Sequence, residues 1–331
     1  MYGFLMRFSK SLIVNVLFLI LIYLFLFSEH IKIAKDIANL LPSQIFNLNT
    51  IFLGIIIEAI PFILLGVIAS SIIQIFVSEK VIQKVMPKHA LLAMIPATLL
   101  GIIFPICECA IIPVVRRLIK KGLPQHISIV FMLSVPALNP VVYLSTYYAF
   151  QNNHIFLFGR MILSFLAAIT IGMITYVLFR DKTILKHSTL DERHMNHGKS
   201  WTAFFKHVSD EFFDTGKYLV FGALLASLFH TFLNRNVLDS IRSHQLIAPA
   251  VMMGFSYVLS VCSEADAFVA SSFIHSFNTE SILAFLVIGP MLDLKNTIML
   301  FAYFRFKFVS VFIISAVAAV YGLSQILHFF I

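Results

Sequence analysis

Nine long apolar runs, separated by polar or charged loops, are the feature that most limits how this chain of 331 residues can fold. Each run is close to the ~20 residues that an α-helix needs to cross the hydrocarbon core of a bilayer. The runs cover roughly residues 11–27, 48–77, 90–106, 126–150, 155–179, 217–233, 245–262, 281–301 and 308–327. Two further apolar pieces, at about 110–121 and 265–277, are too short for complete spans. The pattern predicts an all-α polytopic membrane protein with about nine long transmembrane segments and two short or re-entrant ones.

The composition excludes several other classes of protein. Hydrophobic residues make up 60% of the chain and charged residues 12%, whereas soluble domains carry roughly 45–50% and about 25%. A soluble enzyme, a nucleic-acid-binding domain and a disordered scaffold all need a larger polar surface than this. The start of the chain resembles a signal sequence, but no small-residue cleavage site follows Phe27, so we expect a retained first helix.

Similar landmarks recur in two halves of the chain at one spacing. The segment from Glu58 to Gly66 matches Asp214 to Gly222 at an offset of 156, and Cys107 matches Cys262 at an offset of 155. Pro136 and Asn139 match Pro290 and Asp293 at an offset of 154. We interpret this as an internal duplication. It predicts four parts: residues 1–47 (first transmembrane helix and loop), 48–179 (repeat 1), 180–216 (a polar cytoplasmic linker) and 217–331 (repeat 2).

The basic residues predict how these halves are oriented. If the short pieces also cross or half-cross the membrane and the N-terminus is cytoplasmic, 18 of the 24 Lys and Arg lie in inside loops and 4 in outside loops. The positive-inside rule favours this arrangement. Each half then has an odd number of crossings, which predicts inverted repeats. Inverted repeats with broken helices are a recurring plan in secondary transporters, whose substrate sites lie at the repeat interface.

The first predicted helix break is Phe104-Pro105-Ile106-Cys107-Glu108-Cys109. Pro105 disfavours a continuous helix, and the basic residues around Arg117, followed by Gly122, are typical of a helix end. Cys107, Glu108 and Cys109 would therefore lie at a helix N-terminus inside the membrane. Residues two apart share a face only in an extended segment, so both sulfurs can hold one ligand only if the helix is unwound there. Paired sulfurs favour a soft metal or metalloid such as a trivalent arsenical, Cu(I) or Zn.

The second predicted break is Cys262-Ser263-Glu264-Ala265-Asp266, which also precedes a short apolar piece. Ser263 and Asp266 fit a capping box. The two acidic residues could thus be simple helix caps. However, acids at membrane depth are costly on insertion scales, so we include Cys262, Ser263, Glu264 and Asp266 among the candidate substrate-binding residues.

The helices that follow each break add four polar candidates, namely Asn139, Asp293, Lys295 and Asn296. We expect them to line a cavity or to relay protons, because proline frees helix carbonyls there. Lys295 could instead snorkel toward the inside face. Glu58 is a weaker candidate, and we interpret Arg160 as a residue that snorkels to the membrane interface.

These motifs resemble the bacterial predicted-permease family, which includes the organoarsenical efflux permeases. The matching residues are Pro105, Cys107, Cys109, Pro113, Gly122, Pro124, 136–140, 262–266 and 289–296. The resemblance extends over nearly the whole chain beyond residue 50. It implies an integral inner-membrane permease, and in the arsenical exporters cysteines are thought to carry the trivalent arsenical.

We therefore expect a bacterial cytoplasmic-membrane permease for a small solute, with a thiophilic metal(loid) or an organoarsenical as the candidate cargo, rather than an enzyme. The chain has no Walker motif, so ion coupling is the expected energy source, and no resident cofactor is expected. The expected partners are the substrate, the lipid bilayer and either a second copy of the chain or an accessory membrane protein, with no nucleic acid. Two alternatives remain: a membrane-embedded thiol–disulfide redox protein that uses Cys107 and Cys109, and a non-transporting membrane subunit.

Overall fold

Twelve α-helices account for nearly all of the residues that the computed structural model describes, which are 43–76, 93–103, 106–150, 153–180, 182–186, 201–232 and 246–328. The first half contains α1 (Ser43–Phe76), α2 (Met94–Ile103), α3 (Glu108–Lys120), α4 (Gln125–Leu138), α5 (Pro140–Ala149) and α6 (His154–Phe179). The second half contains α7 (Trp201–Phe232), α8 (Ile247–Leu259), α9 (Asp266–Ser271), α10 (Thr279–Met291), α11 (Leu294–Tyr303) and α12 (Phe306–His328). In both halves a long helix is followed by two short helices, a helix pair divided at a break, and a second long helix.

Six stretches in the described residues are long and apolar enough to cross a membrane. They are Asn47–Ile72, Gln125–Ala149, His154–Phe179, Val208–Phe229, Thr279–Tyr303 and Phe306–Leu327. The chain is therefore a multi-pass helical membrane protein, but the expectation of about nine long segments is not confirmed. The predicted segment 11–27 lies outside the described residues, and α2 covers ten described residues of the predicted segment 90–106.

The predicted segment 245–262 is not a long span, since α8 has only 13 residues. It ends because Ser260 takes a left-handed conformation with φ 49°, which a non-glycine residue adopts rarely and which stops the helix. The predicted short pieces are both present as α3 and α9. Helix α7 begins at Trp201, well inside the segment 180–216 that we predicted as a polar linker, and its apolar span begins at Val208.

The two divided helix pairs form the centre of the fold. The span Thr279–Tyr303 is 89% buried and the span Gln125–Ala149 is 78% buried, whereas the other four spans are 28–39% buried. Helix α4 packs against α2, α3, α6 and α10, while α10 packs against α8, α9, α6 and α12. The outer helices present large apolar side chains such as Leu65, Val177 and Ile314, as expected of surfaces that face lipid.

The helix ends form two groups that lie at opposite ends of the span Gln125–Ala149. At the first, Leu185 pairs with Phe304 in an isolated β-bridge, and the Ile184 N–H donates to Gln125 Oε1 over 3.2 Å. We call it the Leu185 end; α4 begins there and α6 and α11 finish there. We call the other the Phe150 end, where Phe150, just after α5, stacks on Phe156 near the start of α6. Helices α4 and α5 therefore lead away from the Leu185 end, whereas α10 and α11 lead toward it.

Candidate functional site

The first break in the chain lies at Cys107, as the spacing predicts. Cys107 has extended backbone angles (φ −76°, ψ 168°), and α3 begins at Glu108 with no side-chain hydrogen bond from its N-cap. Cys107 and Cys109 are both buried and lie in the same small apolar cluster. The unwound residue before α3 thus lets two cysteines only two positions apart come together. Pro105, which motivates the predicted break, lies outside the described residues.

The second break lies opposite the first, between Leu259 and Asp266. The left-handed Ser260 turns the chain out of α8, and the N–H groups of Ala265 and Asp266 both donate to the Cys262 carbonyl at 2.9 Å. Cys262 is buried and lies in the same small apolar cluster as Cys107 and Cys109. The structure therefore brings all three cysteines of the chain to one place, although Cys262 is far from the others in sequence.

A buried cluster of three charged side chains joins the two breaks. The Lys295 ammonium donates to Glu108 Oε1 at 3.2 Å, to the Ser260 carbonyl at 2.9 Å and to Asp293 Oδ2. The Lys295, Glu108 and Asp293 side chains are each at most 4% exposed. Lys295 therefore does not snorkel to the inside face, because two carboxylates hold its ammonium within the fold. The cluster combines one cation with two anions, one anion from each half.

Ser263 adds a second link between the breaks. Its Oγ donates to Glu108 Oε2 at 3.2 Å, and these two residues are 155 positions apart, the same offset that relates Cys107 to Cys262. The equivalent positions of the two halves thus face each other directly. The predicted capping box is wrong, since the N-cap of α9 is Ala265 and has no side-chain hydrogen bond. A buried carboxylate is a stronger partner for the Ser263 hydroxyl than a backbone N–H.

Arg160 is a member of the site. From the sequence we interpreted it as a residue that snorkels to the membrane interface, and that interpretation is wrong. Its side chain is fully buried, and its guanidinium donates to Asp266 Oδ2 at 2.7 Å, to the Ser263 carbonyl at 3.2 Å and to Thr146 Oγ1 at 2.9 Å. Asp266 is therefore an ion-pair partner and not a helix cap. The partner lies 106 residues away, so no local pattern around Arg160 signals the pair.

The two central spans are each divided into two helices, α4 from α5 and α10 from α11, and an equivalent N-cap begins the second helix of each pair. Asn139 Oδ1 accepts the Val142 N–H at 2.9 Å at the start of α5, and Asp293 Oδ1 accepts the Asn296 N–H at 2.6 Å at the start of α11. Asn139 Nδ2 and Asn296 Oδ1 are buried without a hydrogen-bond partner. Each is a polar atom available to a solute or a water at its break.

The space at the site is small. A cavity of about 20 Å³ is lined by the three cysteines, Glu108, Ser260, Lys295 and α1 residues that include Glu58. That volume suits about one water molecule. Glu58 is exposed and Glu264 half-buried, and neither forms part of the charged cluster. Within the described residues no group of three or more His, Cys, Asp or Glu could hold a metal ion.

A second polar cluster lies toward the Leu185 end. Arg117 lies 3.6 Å from Glu211, which also accepts the Ser70 hydroxyl at 3.0 Å. The Arg116 guanidinium lies 4.6 Å from the ring centroid of Tyr303, at the end of α11. Here too the contacts join the first half to the second. From the sequence, the basic residues are interpreted as a topology signal and as a helix end, and this cluster is not found.

Comparisons with known proteins agree with this architecture. A family model described as "predicted permease" matches residues 44–329. The UPF0718 protein YcgR of Bacillus subtilis is 44% identical over 270 residues, which cover 81% of this chain and 92% of that protein. A putative two-component membrane permease complex subunit of Streptococcus mutans is 38% identical over 282 residues, covering 84% of this chain and 93% of that protein. No solved structure matches the chain.

Proposed function

Because this chain belongs to the predicted-permease family, we propose that it moves a small solute across the bacterial cytoplasmic membrane through the site between its two helix breaks. The observation that carries this proposal is the Lys295–Glu108–Asp293 cluster, buried where helices of both halves stop. Ionisable groups at membrane depth are costly and are found where substrates, ions or protons pass. A transporter accounts for this placement, because the cluster joins both halves of the chain beside a small cavity.

The arrangement of the halves supports transport by alternating access. Helices α4 and α5 lead from the Leu185 end to the Phe150 end, and their counterparts α10 and α11 lead the opposite way. We infer that the halves are inverted repeats, with the N-terminus and the Leu185 end in the cytoplasm. In transporters of this plan, one repeat rocks against the other around a site near the bilayer midplane. In this proposal the charged cluster is that site, because it joins the break of one half to the break of the other.

The chemistry of the site favours a thiophilic cargo, such as a trivalent organoarsenical or a soft metal ion. Cys107, Cys109 and Cys262 line one cavity. Soft sulfur donors bind such species in preference to hard cations. In this proposal the cysteines hold the cargo, Glu108 exchanges a proton or a cation with it, and Asn139 and Asn296 supply polar atoms to the opened cavity. Glu264 and Glu58 border the route, and Lys295 balances the charge of Glu108 and Asp293.

Ion coupling completes the proposal. The Lys295–Glu108 pair is buried at the site, and acidic groups at membrane depth form proton relays in pumps and transporters, which makes the proton the simplest coupling ion. Flux driven by an imposed proton gradient tests this step. An accessory membrane protein is also part of the proposal, because the Streptococcus mutans relative is named as a complex subunit.

Flux into proteoliposomes tests the cargo. The purified chain is reconstituted, and uptake of phenylarsine oxide and of Zn²⁺ is measured for the wild type, for Cys107→Ser/Cys109→Ser and for Ser272→Ala. Ser272 is an exposed residue whose hydroxyl binds only the nearby Val269 carbonyl, so its variant controls for reconstitution. We expect the double variant to lose uptake and Ser272→Ala to keep it. Full uptake by the double variant would overturn the role of the cysteines as ligands.

Two alternatives give different results in the same preparation. A thiol–disulfide redox protein is favoured by the placement of Cys107 and Cys109 at one cavity, and it would cycle between thiols and a disulfide. Trapping with an alkylating reagent would then show both oxidation states. A non-transporting subunit would give no flux of either probe unless its partner protein is added.

A further inference from the structure

We propose that Arg160 is a positioning residue that closes the site from the Phe150 end and is released during transport. The proposal rests on the proposed transport function and assigns a role to a residue that no comparison or motif identifies. Its ion pair with Asp266 is the contact that must open before the solute can leave or enter at that end. While that ion pair is formed, the hydrogen bond from Arg160 to the Ser263 carbonyl holds the second break next to Glu108.

Arg160 donates to three hydrogen-bond acceptors that come from different parts of the chain. Thr146 belongs to α5 of the first half, whereas the Ser263 carbonyl and the Asp266 carboxylate belong to the second break. The planar guanidinium can serve all three at once because its donors point in fixed directions. Arg160 therefore fastens α9 and the residues before it to α5 and α6.

The same contacts continue into the charged cluster. Arg160 binds the Ser263 carbonyl at 3.2 Å, and the Ser263 hydroxyl binds Glu108 Oε2 at 3.2 Å. Glu108 in turn binds Lys295 through its other oxygen. Each step of this chain passes from one half of the protein to the other, so the halves cannot separate at the Phe150 end without breaking it. Release of Arg160 removes the first link and frees the second break to move.

A comparable pair lies on the opposite side of the cluster. Arg117 and Glu211 are also buried and also join the two halves, but Arg117 lies in the last turn of α3, close to the Leu185 end. With both pairs formed, the cavity has room for about one water molecule, and all three cysteines are at most 7% exposed. This is the arrangement expected of a site that is closed at both ends.

The native cysteines provide the test, because the chain has only three and all of them lie at the site. The rate of alkylation by a membrane-impermeant maleimide is measured in right-side-out and inside-out vesicles without cargo. The variants are Arg160→Gln and Asp266→Asn, with Arg117→Gln as the matched control at the other end. Arg160→Lys keeps the charge but loses the forked geometry. Total labelling after denaturation normalises the amount of protein.

We expect Arg160→Gln and Asp266→Asn to raise the alkylation rate about tenfold or more from one side only, because the loss of one closing contact increases the open population. Arg117→Gln should raise the rate from the opposite side, and Arg160→Lys should fall between wild type and Arg160→Gln. Equal acceleration from both sides, or none, would overturn the proposal, since general loosening of the fold exposes the cysteines in both directions. Alkylation needs no cargo, so its result can be interpreted even if the flux experiment finds no transport of either probe.

Discussion

Lys295 of the second half donates to Glu108 of the first half over 3.2 Å, although 187 residues separate them in the chain. Both side chains are 4% exposed. Burying an ion pair costs as much desolvation energy as the pair regains, so such a pair adds little stability compared with an apolar substitute. Its presence inside a membrane protein is therefore better explained by the movement of charge than by folding. Removal of one partner, by contrast, should be strongly destabilising.

Substitution of Lys295 by Met tests that asymmetry. Met has a similar length but no charge, so Glu108 and Asp293 would remain buried without their cation. We expect the free energy of unfolding to fall by about 3–5 kcal/mol. Thermal or denaturant unfolding in detergent measures the change, and a further Glu108→Gln substitution should restore part of it.

Lys217→Met is the matched control for this experiment. Lys217 also pairs with a nearby aspartate, Asp214, but its side chain is 56% exposed. Exposed ion pairs contribute about 0.2–1 kcal/mol, so this variant should unfold almost like the wild type. Equal destabilisation by the two substitutions would contradict the distinction drawn between a buried and an exposed cation.

Gly66 and Gly54 provide a second pair of variants within α1. A Cβ at Gly66 would lie 2.6 Å from the Ala110 carbonyl oxygen, whereas a Cβ at Gly54 would meet nothing within 4 Å. We expect Gly66→Ala to destabilise the protein by about 1–3 kcal/mol, because α1 must move away from the start of α3. Gly54→Ala should be neutral or stabilising by up to about 1 kcal/mol, since alanine favours the helix. The midpoint of thermal unfolding distinguishes the two, and equal midpoints would show that α1 does not approach α3 this closely.

Ser263 gives a prediction about the link between the breaks. Ser263→Ala removes the donor to Glu108 Oε2, and the loss of that buried hydrogen bond should reduce the free energy of unfolding by about 1–3 kcal/mol. Ser272→Ala removes a hydroxyl that binds only within its own turn, so its effect should stay within about 0.5 kcal/mol. Chemical unfolding of both variants measures the difference. A Ser263→Ala protein as stable as wild type would remove Ser263 from the chain of contacts.

The helices were predictable because the signals for them are local. Apolar runs of about 20 residues mark the spans. Asn139 followed by Pro140 is a local signal for a new helix start, but we predicted 126–150 as one run and did not use it. Cys107 was predictable as an unwound residue because the signals around it are also local. The expected capping box at Ser263 failed because the local pattern cannot show that a carboxylate of the other half lies within reach.

The contacts that close the site could not be predicted from local patterns. Arg160 lies near the start of an apolar helix, where an arginine that reaches the membrane interface is the ordinary expectation. Its partner, Asp266, approaches only because the second break packs against α5 and α6. The same holds for Arg117 and Glu211, which come together when α3 meets α7. Sequence alone thus indicates which residues are costly to bury, and the fold decides how they are paired.

Asn139 provides the last prediction, because it can be compared with another N-cap of the same residue type. Asn139 caps α5 in the buried centre, and Asn153 caps α6 at an exposed position by accepting the Ile155 N–H at 3.0 Å. Substitution of either by Ala should lower the free energy of unfolding by about 0.5–2 kcal/mol through loss of the cap. Only Asn139→Ala should also reduce solute flux, since Asn139 Nδ2 is a buried, unpartnered donor between α4 and α5. Asn139→Ser keeps a neutral N-cap oxygen but not the amide donor, so it should regain stability without regaining flux. Equal flux in the Asn139→Ala and Asn153→Ala proteins would limit Asn139 to its capping role.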